Sequence, residues 1–226
     1  MNEIIHDFNE IQHEIKIYEK NRRGTLKKLK FFRLKDFNVI SEEIEEYLSQ
    51  LTDELEKMMP KNIDIQSIYF ILYELLINIY KHSKFKNAYI KIDASDENMD
   101  IYIIDDGIGI PGSFKEAKME CINDNNTIFE AINGETTDKE KYNLHGRGLN
   151  SSARITTLGF KGKMSILSGN EICIIDEYGL KSSNDNYFFN GTFIHLQLKN
   201  RKIKNIYKYL KFERINRIEV VKNESN

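Results

Sequence analysis

The stretch that decides the fold runs from Ser67 to Ser83 and reads SIYFILYELLINIYKHS. It is apolar on nearly every side of a helix, which places it in a protein core. Glu74 and Asn78 break this pattern, and His82 follows four residues further on. A spacing of four residues aligns the three side chains along one helix face. Because burying a carboxylate or an amide without partners is costly, we expect this face to meet a ligand, a metal ion or water.

The polar residues of this helix have chemistries that suit a phosphate ligand. Glu74 can accept a proton from water or from a hydroxyl group. Asn78 offers a neutral oxygen for a Mg²⁺ ion that already carries phosphates and waters. Lys81 adds a cation on the last turn, and His82 can contact a phosphate, orient Glu74 or cap the helix. The alternative is that these are polar groups satisfied by protein partners at the edge of a core. Because three such residues lie on one face, we favour the ligand-facing interpretation over this alternative.

Two glycine-containing loops follow this helix. The first leaves a predicted strand and reads DDGIGIP over residues 105–111. Asp105 can accept a hydrogen bond from an exocyclic amine such as that of adenine, and Gly107 and Gly109 let the backbone approach a flat ligand. The second loop reads HGRGLNSS over residues 145–152 and opens a helix, whose free N–H groups make a phosphate seat. Neither loop is a Walker A or dinucleotide-binding fingerprint, and each alone is a modest signal.

Periodicity and turn signals divide the rest of the chain into helices and strands. Helices are predicted over 3–19, 41–59, 65–83 and 149–158, and strands over 29–37, 88–94, 99–104, 163–167, 171–176 and 192–198. The polar stretch 112–145 is typical of a functional loop or lid. The basic tail from residue 199 is expected to end in a solvated amphipathic helix. The apolar stripe of 3–19 favours a helix docked on its own domain, with a dimerisation arm as the alternative.

Composition excludes several classes of protein. The 226 residues suit one α/β domain with extensions, and 33 basic against 35 acidic residues give a net charge of −2. This balance argues against a dedicated nucleic-acid or membrane binder. Cys121 and Cys173 lie far apart and form no CxxC pair. Together with an acidic N-terminus that does not resemble a signal peptide, they lead us to expect a cytoplasmic protein.

In order, these segments resemble the conserved boxes of the GHKL superfamily, which contains gyrase, the ninety-kilodalton heat-shock chaperones, histidine kinases and MutL. The matching positions are Glu74, Asn78, Lys81 and His82 for the N box, Asp105, Gly107 and Gly109 for the G1 box, Gly146, Arg147, Gly148 and Leu149 for the G2 box, and Gly191 and Thr192 for the final GT element. The form of the N box is closest to that of the anti-sigma-factor serine kinases. Two positions depart from the pattern: Asn150 stands where G2 usually has a further glycine, and Asp106 where the family often has Asn.

The resemblance implies a fold, a ligand and a role for each residue. The fold would be an α/β sandwich of two layers, with helices on one face of a mixed sheet. Residues 29–198 would form an ATP-binding domain with a lid over 112–145, between an N-terminal extension, 1–28, and a basic tail, 199–226.

Within that domain, Asp105 would bind the adenine amine, supported by Thr192 through water. Asn78 would ligate Mg²⁺, while Lys81 and the G2 backbone would hold the phosphates. Glu74 would be the catalytic base.

Several functions are compatible with this site. The first is ATP hydrolysis or phosphoryl transfer to a regulatory partner protein. The second is an ATP-gated protein-binding switch without significant turnover. A histidine autokinase acting through His13 would need a long two-helix hairpin, and a homodimer would use the stripe of 3–19.

Overall fold

The computed structural model describes residues 2–21, 31–33, 62–119, 126–135 and 147–218, with six isolated positions between 46 and 57. The helices are α1 (Asn2–Asn21), α2 (Ile65–Asn78, continued by a π-helical turn over Ile79–Ser83), α3 (Gly109–Glu116), α4 (Thr127–Ile132), α5 (Arg147–Arg154, continued by a π-helical turn over Ile155–Gly159) and α6 (Tyr207–Leu210). The strands are β1 (Phe31–Arg33), β2 (Ala88–Ala94), β3 (Asn98–Asp105), β4 (Lys163–Asp176) and β5 (Gly179–Lys199). The predicted helix 41–59 lies mostly outside the described residues.

The strands form one five-stranded sheet in the order β1-β2-β3-β5-β4. Each described pair is antiparallel, which agrees with the α/β class but corrects the expected mixed sheet. Short connections explain the direction, because tight turns join β2 to β3 and β4 to β5, and a hairpin pairs its strands antiparallel. The register sets Asp105 on β3 opposite Thr192 on β5.

The main core lies between helix α2 and one face of the sheet. Ile101 and Ile103 of β3 point to this face, whereas Tyr102 and Ile104 point to the other, as the two-residue period of a strand requires. Helices α4 and α5 contribute to the same core. The buried side chains of α2 are Ser67, Ile68, Ile71, Leu72, Leu75 and Leu76. The apolar stretch 67–83 is therefore at the centre of this core.

Helix α1 packs on the opposite face of the sheet. Phe8 is fully buried there, with its ring centroid 5.3 Å from that of Phe193 and 4.5 Å from that of Phe189. Helices therefore cover both faces, which corrects the expectation of helices on one face only. That expectation came from the resemblance alone, and the apolar side chains of the second face that α1 covers include Ile104 and Phe193.

A buried histidine adds a polar connection between α1 and the sheet. His195 of β5 is 3% exposed, and its Nδ1 lies 3.1 Å from Asp7 of α1. Its Nε2 lies 2.8 Å from Asp100 of β3, and its ring stacks on Tyr102. One side chain thus ties the helix to two strands.

The position of α1 confirms that this helix docks on its own domain. The alternative, a homodimer through 3–19, would use the apolar stripe that contains Ile4, Phe8 and Ile11, and these side chains are buried within the chain. Among the described residues, no helix combines the length and the apolar character needed to cross a bilayer.

The predicted lid, 112–145, is helical and docked where the structure describes it. Helix α4 buries Ile128 and Ile132 in the main core. Its first turn is held by Glu171 of β4, which accepts hydrogen bonds from the Thr127 N–H and hydroxyl and from the Ile128 N–H at 2.6 to 3.1 Å. Residues 120–125 and 136–146 lie outside the described part.

Over its described residues, 199–218, the tail does not form the expected amphipathic helix. Between residues 199 and 218, only Tyr207–Leu210 is helical. Side chains elsewhere in the protein bind the tail backbone: Arg154 donates to two tail carbonyls, and Asn133 both donates to and accepts from Ile215. These contacts use backbone groups that a continuous helix would need for itself. The apolar tail side chains that pack on the core are Ile203, Ile206, Leu210 and Ile215.

We predict that Phe8→Ala lowers the free energy of unfolding by about 3 to 5 kcal/mol, because it removes a fully buried ring and leaves a cavity. Urea denaturation measures this change, and hydrogen exchange should locate the loss of protection in α1. Asn9→Ala, at the next and exposed position, is the matched control and should change the free energy by less than about 0.5 kcal/mol. Equal effects of the two substitutions would contradict the docking of α1.

Candidate functional site

Asp105 is a buried carboxylate at the last position of β3. It is 2% exposed, and its Oδ1 accepts a hydrogen bond from the Gly107 N–H at 2.9 Å. Burial raises the pKa of Asp105 to about 6, since desolvation outweighs the lowering effect of this hydrogen bond. A carboxylate so poorly solvated interacts strongly with any donor that a ligand brings to it.

The loop that follows Asp105 packs tightly against the end of α2. The Ile108 N–H donates to the Ser83 carbonyl at 2.7 Å. A Cβ on Gly107 would lie 2.0 Å from the same carbonyl oxygen, so a larger residue would push the loop away from the helix. This contact joins the first glycine loop to the helix that carries the polar stripe.

Gly191 allows β5 to approach the end of β3. Its φ is +124°, a conformation that L side chains rarely adopt, and a Cβ there would lie 2.0 Å from the Asp105 carbonyl oxygen. The next residue, Thr192, is the cross-strand partner of Asp105, so the two side chains project from the same face. Thr192 is half-buried.

Ser168 of β4 completes this corner of the site, and sequence reasoning missed it. Its buried Oγ donates to the Gly191 carbonyl at 2.7 Å and accepts from the Ile110 N–H at 2.9 Å. It also lies 3.4 Å from the Thr192 hydroxyl. The only local signal was its place at the irregularity between the two predicted strands that merge into β4. Ser168 therefore fixes both the first glycine loop and the start of the GT element.

Asp106, one of the two departures from the family pattern, has a structural role. Its Oδ1 accepts the backbone N–H groups of Lys86 and Asn87, each at 2.8 Å. Its Oδ2 accepts the Asn87 side-chain amide at 2.8 Å. Three donors suit a carboxylate, which offers only acceptors, better than an amide, which would turn one donor toward another.

Glu74 meets the second glycine loop. Helix α5 packs against α2, and a Cβ on Gly148 would lie 2.1 Å from Glu74 Oε2. The absence of a side chain at Gly148 thus brings the first turn of α5 against the carboxylate. The structure unites two residues that are far apart in sequence and that were singled out independently.

The remaining residues of the polar stripe lie between these two contacts. Helix α2 touches α5 at Glu74 and the first glycine loop at Ser83, and Asn78 lies about midway between them, half-buried. Lys81 is exposed and His82 half-buried, and both belong to the π-helical turn. Such turns occur frequently at functional sites, and this one changes the spacing that a regular helix would give His82.

The first turn of α5 contains Arg147, Gly148 and Leu149 of the second loop. Arg147 is exposed, whereas Gly148 and Leu149 are half-buried. Gly146 lies outside the described residues. The helix therefore begins where the sequence predicted a phosphate seat, with its first N–H groups unused by the helix itself.

The profile of the family described as Histidine kinase-, DNA gyrase B-, and HSP90-like ATPase matches residues 63–202. The chain belongs to this ATPase family. The matched segment runs from the start of α2 to the end of β5 and contains Asp105, Glu74 and Thr192. No curated protein sequence matches the chain.

Membership of this ATPase family implies that the domain binds ATP. The geometry agrees with such a ligand, because a buried carboxylate at one end and a helix N-terminus at the other suit a purine amine and phosphates respectively. The segment of α2 from Glu74 to Ser83 runs without a break between these two ends of the site.

The raised pKa of Asp105 makes stability depend on pH in a defined direction. The pKa of this carboxyl rises from 3.8 to about 6 on folding, so between these values the folded state binds more protons than the unfolded state. Protonation of Asp105 therefore stabilises the folded state by about 3 kcal/mol when the pH lies below the lower of these two pKa values. This stabilisation is lost as the pH rises through the upper pKa value.

We predict that Asp105→Asn removes this dependence. Urea denaturation should show the variant gaining stability relative to the unaltered chain between about pH 4 and about pH 7. Asp96→Asn, which removes a carboxylate from an exposed turn, is the control and should show no such gain. If the variant instead lost stability relative to the unaltered chain as the pH rose over this range, folding would lower the pKa of Asp105.

Proposed function

We propose that this chain is a Mg-ATP-dependent regulatory enzyme that hydrolyses ATP or phosphorylates a partner protein on Ser or Thr. The observation that carries the proposal is the contact of Glu74 with Gly148 at the first turn of α5. A protein that only held ATP would need no carboxylate beside the phosphate seat. The alternative, an ATP-gated binding switch, requires the same site without turnover.

The adenine would lie at the Asp105 end of the site. The Asp105 carboxylate, whose Oδ1 accepts the Gly107 N–H, would accept the exocyclic amine through Oδ2. Gly107 and Gly191 support this placement by letting the backbone segments pack closely around the carboxylate, where a side chain would clash with the Ser83 or the Asp105 carbonyl. Thr192 would support the base through a water molecule, and Ser168 would hold the Thr192 hydroxyl in place.

The phosphates would lie at the first turn of α5. Its backbone N–H groups, including those of Gly148 and Leu149, would bind them, with Gly146 and Arg147 completing the loop. Lys81, exposed on the last turn of α2, would add a cation, and His82 would lie close by. Asn78 would supply a protein ligand to Mg²⁺.

The metal would depend on the nucleotide for most of its ligands. Among the described residues, no three His, Cys, Asp or Glu side chains gather as a metal site. Mg²⁺ commonly takes one or two protein oxygens and fills its octahedron with phosphate oxygens and waters. A single amide oxygen from Asn78 fits that arrangement, in which the ion neutralises phosphate charge.

The chemistry assigned to this chain is a proton transfer. The Glu74 carboxylate would accept the proton of the attacking water or hydroxyl as its oxygen bonds to the γ-phosphorus and ADP leaves. The Glu74, Asn78 and His82 pattern supports a place near the anti-sigma-factor serine kinases, whose substrates are proteins. A regulatory protein is therefore the proposed partner.

We predict that the unaltered chain binds ATP in a magnesium-dependent manner and that Asp105→Asn abolishes binding. In the variant, the amide oxygen would keep the Gly107 N–H, so the amide nitrogen, a donor, would face the adenine amine, another donor. Calorimetric titration with ATP and a non-hydrolysable analogue, with and without Mg²⁺, measures both effects. Asp96→Asn is the control, and normal binding by the Asp105 variant would refute the adenine assignment.

We predict further that Glu74→Gln keeps the affinity for ATP but lowers turnover by about a hundredfold or more, since the amide has the shape of the carboxylate without its basicity. Phosphate release and transfer of labelled phosphate measure turnover. Glu97→Gln, in the exposed turn between β2 and β3, is the control. Unchanged hydrolysis in the Glu74 variant would exclude this base, and an unaltered chain that binds ATP without turnover would favour the switch.

A further inference from the structure

The face of α5 that points away from Glu74 is held by the C-terminal segment 209–217, which we name the brace. Asn150 and Arg154 are four residues apart on α5, so they lie on one face of the helix. Asn150 is fully buried and Arg154 is 5% exposed. Buried polar side chains on a short helix require partners, and the brace accepts hydrogen bonds from both of them.

Arg154 binds the brace through its guanidinium group. Its Nη1 donates to the carbonyl of Tyr209 at 3.2 Å and to that of Lys211. Its Nη2 forms an ion pair with the Glu213 carboxylate. A buried guanidinium with three acceptors fixes the orientation of the helix that carries it.

Asn150 joins three segments at one point. Its Nδ2 donates to the Ile132 carbonyl at the end of α4, at 3.1 Å, and to the Glu213 carbonyl of the brace, at 3.0 Å. The family usually has glycine here, and glycine has no side chain to make either bond. The departure from the G2 pattern is thus matched by a structural feature of this chain.

The brace also holds α4 directly. Asn133 accepts the Ile215 N–H at 2.8 Å and donates to the Ile215 carbonyl at 3.2 Å. Arg217 donates to Asn126 Oδ1 at 2.7 Å, and its guanidinium lies 4.6 Å from the centroid of the Phe129 ring. Helices α4 and α5 are therefore fastened to the same few residues of the tail.

We infer that the brace positions the first turn of α5 against Glu74, with Asn150 and Arg154 as positioning residues for the phosphate end of the site. A helix moves as a rigid body, so the anchorage of one face sets the place of Gly148 on the other, where it meets Glu74. This inference rests on the proposed function. It assigns to the basic tail a role in nucleotide geometry rather than in partner binding.

The test compares three variants of the full chain. Asn150→Ala removes both hydrogen bonds at a position where alanine favours the helix. Arg217→Ala removes an exposed side chain of the brace that holds α4, a change the fold should tolerate. Arg201→Ala removes the same charge from an exposed position of the tail outside the brace. For each variant we would measure the melting temperature, the affinities for Mg-ATP and Mg-ADP, and kcat at saturating ATP.

Asn150→Ala and Arg217→Ala should lower the ratio of ATP to ADP affinity and reduce kcat, by about tenfold for Asn150→Ala, because displacement of a positioned group is costly to phosphoryl transfer. Arg201→Ala should leave both quantities unchanged. A lower melting temperature with an unchanged affinity ratio and kcat would overturn the inference and leave the brace as a stabilising contact only. An unaltered chain that binds no ATP would refute the proposed function itself, which the first titration reveals before any variant is compared.

Discussion

The site depends on keeping a carboxylate where water hardly reaches it. Asp105 is buried at the end of β3, and burial of an acidic group is costly unless nearby donors compensate it. The backbone provides part of that compensation, because the turn through Gly107 directs an N–H at the carboxylate. Two glycines and one small hydroxyl, that of Ser168, allow three segments to converge around it. The position of this carboxylate therefore depends on the loop sequence, on the strand order and on the register of β3 with β5.

At the other end of the site, where Glu74 lies midway along α2, the constraint is steric. Gly148 lets α5 approach Glu74 more closely than any residue with a Cβ would permit. Between these two ends, α2 is a rigid spacer. Its apolar sides are buried in the core, and its polar side runs along the site. The spacing of Glu74 and Ser83 along this helix therefore fixes the distance between the two ends of the site.

Local sequence patterns predicted those parts of the fold whose structure is determined by residues close together in sequence. The periodicity around Glu74, the hairpin of β2 and β3 and the first glycine loop are of this kind, and the structure contains all three. Ser168, Glu171 and His195 were missed because each acts on residues far along the chain: Ile110, Thr127, and both Asp7 and Asp100. The periodicity of one segment cannot predict a hydrogen-bond partner that lies in a distant segment and comes close only in the folded protein. The covering of the second sheet face by α1 was missed for the same reason.

The location of α1 and the brace bears on how the boundaries of this domain should be drawn. A fragment cut to the matched residues, 63–202, would contain every residue of the family's boxes. It would also uncover Tyr89, Ile104 and Phe193, which α1 shields, and would leave Arg154 buried without its acceptors. Exposed apolar surface of this kind promotes association in place of folding. The segment that buries the apolar surfaces of this domain is thus larger than the segment that matches the family profile.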